Sequence, residues 1–246
     1  MKELAAILIP GNMCDARMWN GGDNCIRGCL HGLTGQPPVD ADVFRDNSIA
    51  DMADRSLATT DVPLLLVGFS MGAIVAVEMA VIAPDRVRGL VLAGFNASAD
   101  LPERAAQRPL QQCAVRQGHL RQIVVEQLKP NYLAASNRRE EALRAILTDM
   151  AMAVGPDAFV AQSEALQMRK NRIPDLSRIR CPVLFLTGRE DVLCPPEWHQ
   201  RWAALTPGSQ VKVIENAGHM APLEQPLGFA QSISDWFQIQ KQRLAA

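Results

Sequence analysis

Ser70, Asp191 and His219 are the residues of this 246-residue chain whose types, order and surroundings suit acyl transfer. Ser70 sits in Gly68-Phe69-Ser70-Met71-Gly72, directly after an apolar run and before a helical pattern. Where a strand turns into a helix within about one residue, the serine is held in a strained conformation, and only small residues fit two positions before and two after it. Gly68 and Gly72 meet that need, and Ala73, Ala76 and Ala80 let the helix lie close to the sheet. The turn aims a helix N-terminus at the hydroxyl, which favours developing negative charge. A serine hydroxyl is a weak nucleophile and requires a base that is itself oriented by an acid. Asp191, in Gly188-Arg189-Glu190-Asp191, and His219, in Gly218-His219-Met220, follow later apolar runs in the order serine, acid, histidine. Alone, such an aspartate is most often a turn cap and such a histidine a partner of a backbone carbonyl. Their joint placement with Ser70 points to a triad. Glu190 is the competing acid, with Glu215 and Glu224 further off. His31, His119 and His199 lack the placement.

Acyl transfer also needs donors for an oxyanion. The backbone N–H of Met71 is one candidate. The loop Pro10-Gly11-Asn12-Met13 after the first apolar run offers Asn12 N–H as the second, with Gly11 allowing close backbone approach. Met13, Met71 and Met220 each stand beside a candidate site residue, so flexible apolar side chains there suit an acyl pocket. Met13 and Met220 are the expected substrate-binding pair, although ordinary core packing accounts for Met220 equally well. Cys25 and Cys29, with Cys14 upstream, lack partners at zinc-like spacing apart from His31, so no metal is expected. Cys113, Cys181 and Cys194 read as buried small residues. Trp19 and Trp198 suit either a cleft wall or a core cover.

These residues must be positioned by strands. Leu4–Ile9, Pro63–Phe69, Val87–Ala93, Pro182–Thr187 and Val211–Ile214 read as short buried strands, with Val39–Phe44 a weaker one. Leu64-Leu65-Leu66-Val67 is apolar on both faces, as in the middle of a parallel sheet. Helices are expected from Ser48, as a cap, to about Thr59; from Met71 to Ala83, before Pro84; from Pro195 or Pro196; and from about Pro226 to Gln242, with Leu227, Ala230, Ile233 and Phe237 as its apolar stripe. Alternating strands and helices imply an α/β fold with a parallel sheet covered on both faces. Residues 98–172 break the rhythm. Their helical patterns, Gln111–Leu128, Arg138–Val154 and Pro156–Arg169, are joined by no clear strand. That stretch holds 11 Lys/Arg and 8 Asp/Glu, a net of +3 in a chain whose total is -1. It reads as a helical cap over the carboxyl edge of the sheet, between core segments 1–97 and 173–246.

Composition limits the alternatives. Apolar residues make up 48% and charged residues 21%, enough for a sizeable core and unlike a disordered chain. The near-neutral balance gives no general attraction to nucleic acid. The uncharged run Val62–Val77 is shorter than the roughly 20 residues of a membrane span, and Leu4–Ile9 is shorter than a secretory apolar region, about 7–15 residues. The expectation is a cytoplasmic protein with reduced thiols, no membrane partner and no nucleic-acid partner.

Together these segments resemble the α/β-hydrolase superfamily, in its small serine-nucleophile members with a helical cap. The resemblance runs through Leu8-Ile9-Pro10-Gly11-Asn12, Val67-Gly68-Phe69-Ser70-Met71-Gly72, the stretch from Gly188 to Pro195 and the stretch from Gly218 to Pro226. It implies a mostly parallel sheet of about six strands, with Ser70 as nucleophile, His219 as base and Asp191 as orienting acid. Pro10-Gly11 stands where the family commonly has His-Gly, and the family's first two strands are expected to be missing. The serine argues against the family's aspartate-dependent dehalogenases and epoxide hydrolases. The implied activity is hydrolysis of a small-molecule acyl substrate without cofactor. A carboxylic ester comes first; lactone, thioester or carbon–carbon cleavage and acyl transfer are alternatives on the same triad. A ligand receptor on the same scaffold is the rival from another class.

Overall fold

The computed structural model describes residues 4–245. Its elements follow in the order β1 (Ala5–Ile9), α1 (Gly21–Thr34), β2 (Val39–Asp40), α2 (Ile49–Leu57), β3 (Leu64–Phe69), α3 (Met71–Ile82), β4 (Val87–Ala93), α4 (Pro102–Arg116), α5 (Leu120–Gln122), α6 (Glu141–Gln167), β5 (Val183–Gly188), α7 (Pro196–Leu205), β6 (Gln210–Ile214), α8 (Ala221–Glu224) and α9 (Pro226–Ala245). α5 runs on into a π-helical turn, Ile123–Leu128.

The six strands form one sheet in the order β2-β1-β3-β4-β5-β6, and every pairing is parallel. Strand alternation supplies both covered faces. From β1 and β3, Ile7, Ile9, Leu64 and Leu66 pack with α2 and α3 on one side. Ala6, Leu8, Leu65 and Val67 pack with α1 and α9 on the other. All six residues of β3 are buried, as its unbroken apolar run requires. Burial of these side chains contributes roughly 1.5–3 kcal/mol for each large aliphatic group. Apart from Glu78, which pairs with Arg172, α3 is apolar on every side and buried from Met71 to Ala80, which suits a helix wedged between sheet and α2. Ser48 caps α2, its hydroxyl accepting from Asp51 N–H at 3.1 Å.

Several elements differ from the sequence expectation. α1, absent from the expected elements, begins with left-handed Gly22, Asp23 and Asn24. A short stripe of Cys25, Ile26, Cys29, Leu30 and Leu33 docks it on the sheet face shared with α9. Only Val39 and Asp40 of the Val39–Phe44 run pair with β1, at the open sheet edge. Leu227 is exposed, while Ala230, Ile233 and Phe237 are buried as expected. Trp19 lies in the core against Phe229, and Trp198 packs onto the opposite cluster, so both cover the core. Cys113 is exposed, whereas Cys181 and Cys194 are buried.

Between β4 and β5 the chain is helical, as the missing strand pattern implies. α4 begins nine residues earlier than the sequence pattern suggests and carries Pro109 inside it. Gly118, at φ 94°, separates it from α5, and Gly155, at φ 87°, divides α6 at the junction between the two expected helices. Val115, Ile123, Val124, Ala151 and Phe159 from these helices share an apolar cluster with Met13 of the loop after β1. The helical segment is therefore fastened directly to that loop.

Candidate active site

Ser70 joins β3 to α3 with φ 51° and ψ −111°, a conformation that a residue with a Cβ rarely adopts. The neighbours hold it there. Ser70 N–H donates to Ala93 O at 2.8 Å. A Cβ on Gly68 would collide with the backbone of Gly72 and Ala73, and one on Gly72 with the Ile9 carbonyl. Both glycines are thus demanded by backbone approach.

His219 and Asp191 reach Ser70 from the carboxyl ends of β6 and β5. His219 Nε2 lies 3.1 Å from Ser70 Oγ, and its Nδ1 lies 2.8 Å from Asp191 Oδ2. Asp191 Oδ1 accepts from Leu193 N–H and Cys194 N–H, each at 2.9 Å, so the carboxylate is fixed at both oxygens. The side chains of His219 and Asp191 are 2% and 0% exposed, which isolates this pair from water. Phe69 and Tyr132 flank the imidazole, their ring centroids 4.9 Å and 5.3 Å from its own. Gly94, at φ 56°, makes room, since a Cβ there would stand 2.9 Å from His219 Cε1. Tyr132 is the only tyrosine in the chain and carried no sequence signal.

The competing acids are engaged elsewhere. Glu190 accepts from Ala135 N–H at 2.8 Å, and Glu215 pairs with Arg189. Glu224 accepts from Gly218 N–H, Ala134 N–H and Asn137 Nδ2, tying the histidine loop to the chain entering α6; burial raises its pKa.

The loop after β1 completes the site. Met13 has φ 54°, and its peptide groups are held from the helical segment. Gln162 Oε1 accepts from Met13 N–H at 2.9 Å and from Asn12 Nδ2 at 3.1 Å, while Gln162 Nε2 donates to Val43 O at 3.1 Å. Lys129 Nζ donates to Met13 O at 3.3 Å and Leu147 O at 2.8 Å, and burial pushes its pKa down. The N–H groups of Asn12 and Met71 have no protein acceptor among the described residues. Asn12, Ser70, Met71 and His219 line a common cleft of about 200 Å³, closed on its other side by α4, the π-helical turn and the end of α6. Met13 and Met220 do not line it. Both are fully buried, Met13 in the cluster beneath the helical segment and Met220 in the core beside α9. The left-handed turn at Met13 sends its side chain away from the cleft, so the expected substrate-binding pair is replaced by Met71, Ile74 and Leu128 as apolar lining.

His199 has a structural place. Its Nε2 accepts from Phe95 N–H at 2.9 Å and its Nδ1 faces Pro195 O at 3.2 Å, so the neutral ring bridges two loops. Burial lowers its pKa from 6.5 to about 4. Between those values the unfolded chain binds a proton that the folded one refuses. His199 stabilisation is therefore complete above about pH 6.5 and is lost as the pH falls towards 4, up to about 3 kcal/mol. Urea unfolding at pH 7 and pH 5 should show the loss, and His199→Gln should flatten that part of the profile. An unchanged slope would assign the acid sensitivity to other groups.

A serine elbow, a buried histidine–aspartate pair and open backbone donors at the carboxyl edge of a six-stranded parallel sheet define an α/β-hydrolase fold with a hydrolase-type site. The family model of that name, the alpha/beta hydrolase family, matches residues 6–232, and the chain belongs to this family. Among characterised relatives, it is 30% identical over 203 residues to a pimeloyl-[acyl-carrier protein] methyl ester esterase of Neisseria meningitidis serogroup B, covering 80% of this chain and 78% of the relative. Among solved structures, a thermophilic esterase from Thermogutta terrifontis superimposes with a TM-score of 0.86 at 27% identity, over 97% of this chain and 90% of that one. An enol-lactonase from Burkholderia xenovorans shares the fold, with a TM-score of 0.79 at 19% identity, over 96% and 92% of the two chains. Among the described residues no helix is long and apolar enough to cross a membrane.

Proposed function

We propose that this protein hydrolyses a small carboxylic ester through a covalent acyl-enzyme. The contact series from Ser70 Oγ through His219 to Asp191 carries this reading. Ser70 Oγ attacks the carbonyl carbon while His219 Nε2 takes its proton, and the oxyanion is held by Asn12 N–H and Met71 N–H. The tetrahedral centre collapses as the same imidazole protonates the departing alkoxide. A water molecule, deprotonated by His219, then attacks the acyl carbon; the acid leaves and Ser70 regains its proton. The nucleophile of the first step, the base and the oxyanion donors all belong to the protein, so the cycle calls on neither metal nor organic cofactor. Residues 98–172 act as the cap that closes the cleft and selects the acyl group.

The methyl ester esterase of Neisseria meningitidis and the esterase from Thermogutta terrifontis support an ester as the scissile group. A panel of short p-nitrophenyl esters, thioesters, lactones and ring-cleavage diketones tests the choice. Turnover is expected with the esters, together with fluorophosphonate labelling of Ser70 alone. Exclusive turnover of another class, or labelling elsewhere, would overturn it.

The oxyanion assignment carries its own expectation. Gln162→Leu leaves Met13 N–H and Val43 O buried without partners and frees the loop bearing Asn12. A stability loss of about 1–3 kcal/mol is expected. Because one oxyanion donor is worth about 10²–10³ in kcat, its misplacement should lower kcat by about 10-fold or more while KM changes less. Thermal unfolding and steady-state kinetics of the variant check both.

A further inference from the structure

The cleft is strongly cationic on one wall. Arg104, Arg108 and Arg169 line it together with Ser70 and His219. Arg108 and Arg169 converge on Asp100, whose side chain is 1% exposed: Arg108 Nε binds one carboxylate oxygen at 2.5 Å, and Arg169 Nη1 the other at 2.9 Å. Arg169 also donates to Ser98 O and Ala99 O, so its guanidinium is rigidly held. Arg104 lies one turn before Arg108 on α4 and has no side-chain or ion-pair partner among the described residues. One carboxylate thus serves two of the three guanidinium groups, and among the described residues the third, that of Arg104, is left without a counter-charge.

Two features separate this cluster from ordinary solvated arginines. Like charges one helical turn apart destabilise a helix, and Arg104 and Arg108 are so placed. Burial, with repulsion from Arg108 and Arg104, also lowers the pKa of Arg169, against its pairing with Asp100. An anion entering the cleft would relieve both. Asn96, Gln107 and Gln111 stand on the same lining with amide donors. A guanidinium binds a carboxylate in a two-pronged, charge-assisted way that an aliphatic tail cannot match.

We propose that Arg104, supported by Arg108 and Arg169, forms an anion subsite inside the reaction cleft, and that the ester cleaved here carries a free carboxylate on its acyl part, as in the half-ester of a short dicarboxylic acid. This rests on the ester-hydrolase reading. It adds the charge of the substrate and the residue that selects it. The roughly 200 Å³ of the cleft suits a small acyl chain that spans from Ser70 to α4.

The test compares two esters of matched shape, mono-p-nitrophenyl glutarate and p-nitrophenyl 5-methylhexanoate, in which an isopropyl group replaces the carboxylate. Wild type should favour the anionic ester in kcat/KM by about 10-fold or more, since hydrogen bonds to charged groups are stronger than those between neutral ones. Arg104→Gln should cut that preference about 10-fold, and Arg104→Lys should retain a larger part of it. The side chain of Arg104 is exposed and unpaired, so these variants are expected to fold. Binding is read separately in Ser70→Ala protein by calorimetry with glutarate and glutaramide. Glutarate should bind more tightly, and addition of Arg104→Gln should remove the difference. Equal use of both esters, a preference untouched by Arg104→Gln, or equal binding of glutarate and glutaramide would overturn the subsite. Arg104-dependent glutarate binding by a wild type that cleaves neither ester would retain the subsite and reject the hydrolase reading.

Discussion

Ser70→Ala should lower kcat on any cleaved ester by about 10⁶-fold and abolish fluorophosphonate labelling, with the folded state retained. The expectation follows from geometry. Ser70 O–H donates to His219 Nε2 across 3.1 Å, and the substitution removes that donor. Alanine meets the same φ of 51° as serine, so the strain at the elbow is unchanged. Ser70 lines the cleft, so loss of its single contact to His219 should shift stability by about 1 kcal/mol. Residual catalysis over water, about 10³–10⁴ in comparable triads, would come from the oxyanion donors and from binding. Mass spectrometry of the labelled protein and melting of the variant check the two parts. A variant with more than about a tenth of wild-type kcat would remove Ser70 from the mechanism.

Asp191→Asn should lose about 10⁴-fold in kcat with little change in fold. Asp191 Oδ1 accepts two backbone N–H groups, so an asparagine there must turn its oxygen towards Leu193 and Cys194. Its NH₂ then faces His219 Nδ1, which must act as acceptor. The imidazole proton moves to Nε2, the nitrogen facing Ser70, and the base can no longer accept the serine proton. The developing imidazolium also loses its counter-charge. Glu190→Gln should cost far less, because the Glu190 carboxylate serves Ala135 N–H. Steady-state kinetics of the two variants in parallel distinguish the acids, and the reverse ranking would assign the role to Glu190.

Much of the site was readable because its signals are local. The elbow is written in consecutive residues, with Gly68 and Gly72 demanded by backbone contacts and β3 by four successive apolar side chains. Asp191 and His219 stand at strand ends that apolar runs announce. The failures have equally specific causes. α1 is diluted by Gly21, Gly22, Gly28 and Gly32, and tertiary docking of Ile26 and Leu30 overrides that weak local preference. Met13 beside Asn12 looked like a pocket residue, but a positive φ reverses where its side chain goes. Gln162, Lys129 and Arg169 left no mark because their partners are Met13 and Asp100, far away along the chain, and nothing in either neighbourhood encodes the meeting.

The grip of Gln162 and Lys129 on the Met13 peptide has an architectural consequence. The helices between β4 and β5 are not an interchangeable accessory set on a self-sufficient core. A shortened chain joining residue 97 to 173 would strip both partners from a left-handed residue next to the proposed oxyanion donor, and would expose the apolar face beneath. Transplanting these helices from a relative in order to change selectivity should succeed only if the graft supplies an acceptor for Met13 N–H and a donor for Met13 O. Modularity in this scaffold is bounded by two hydrogen bonds, one to each of the peptide groups that flank a single residue.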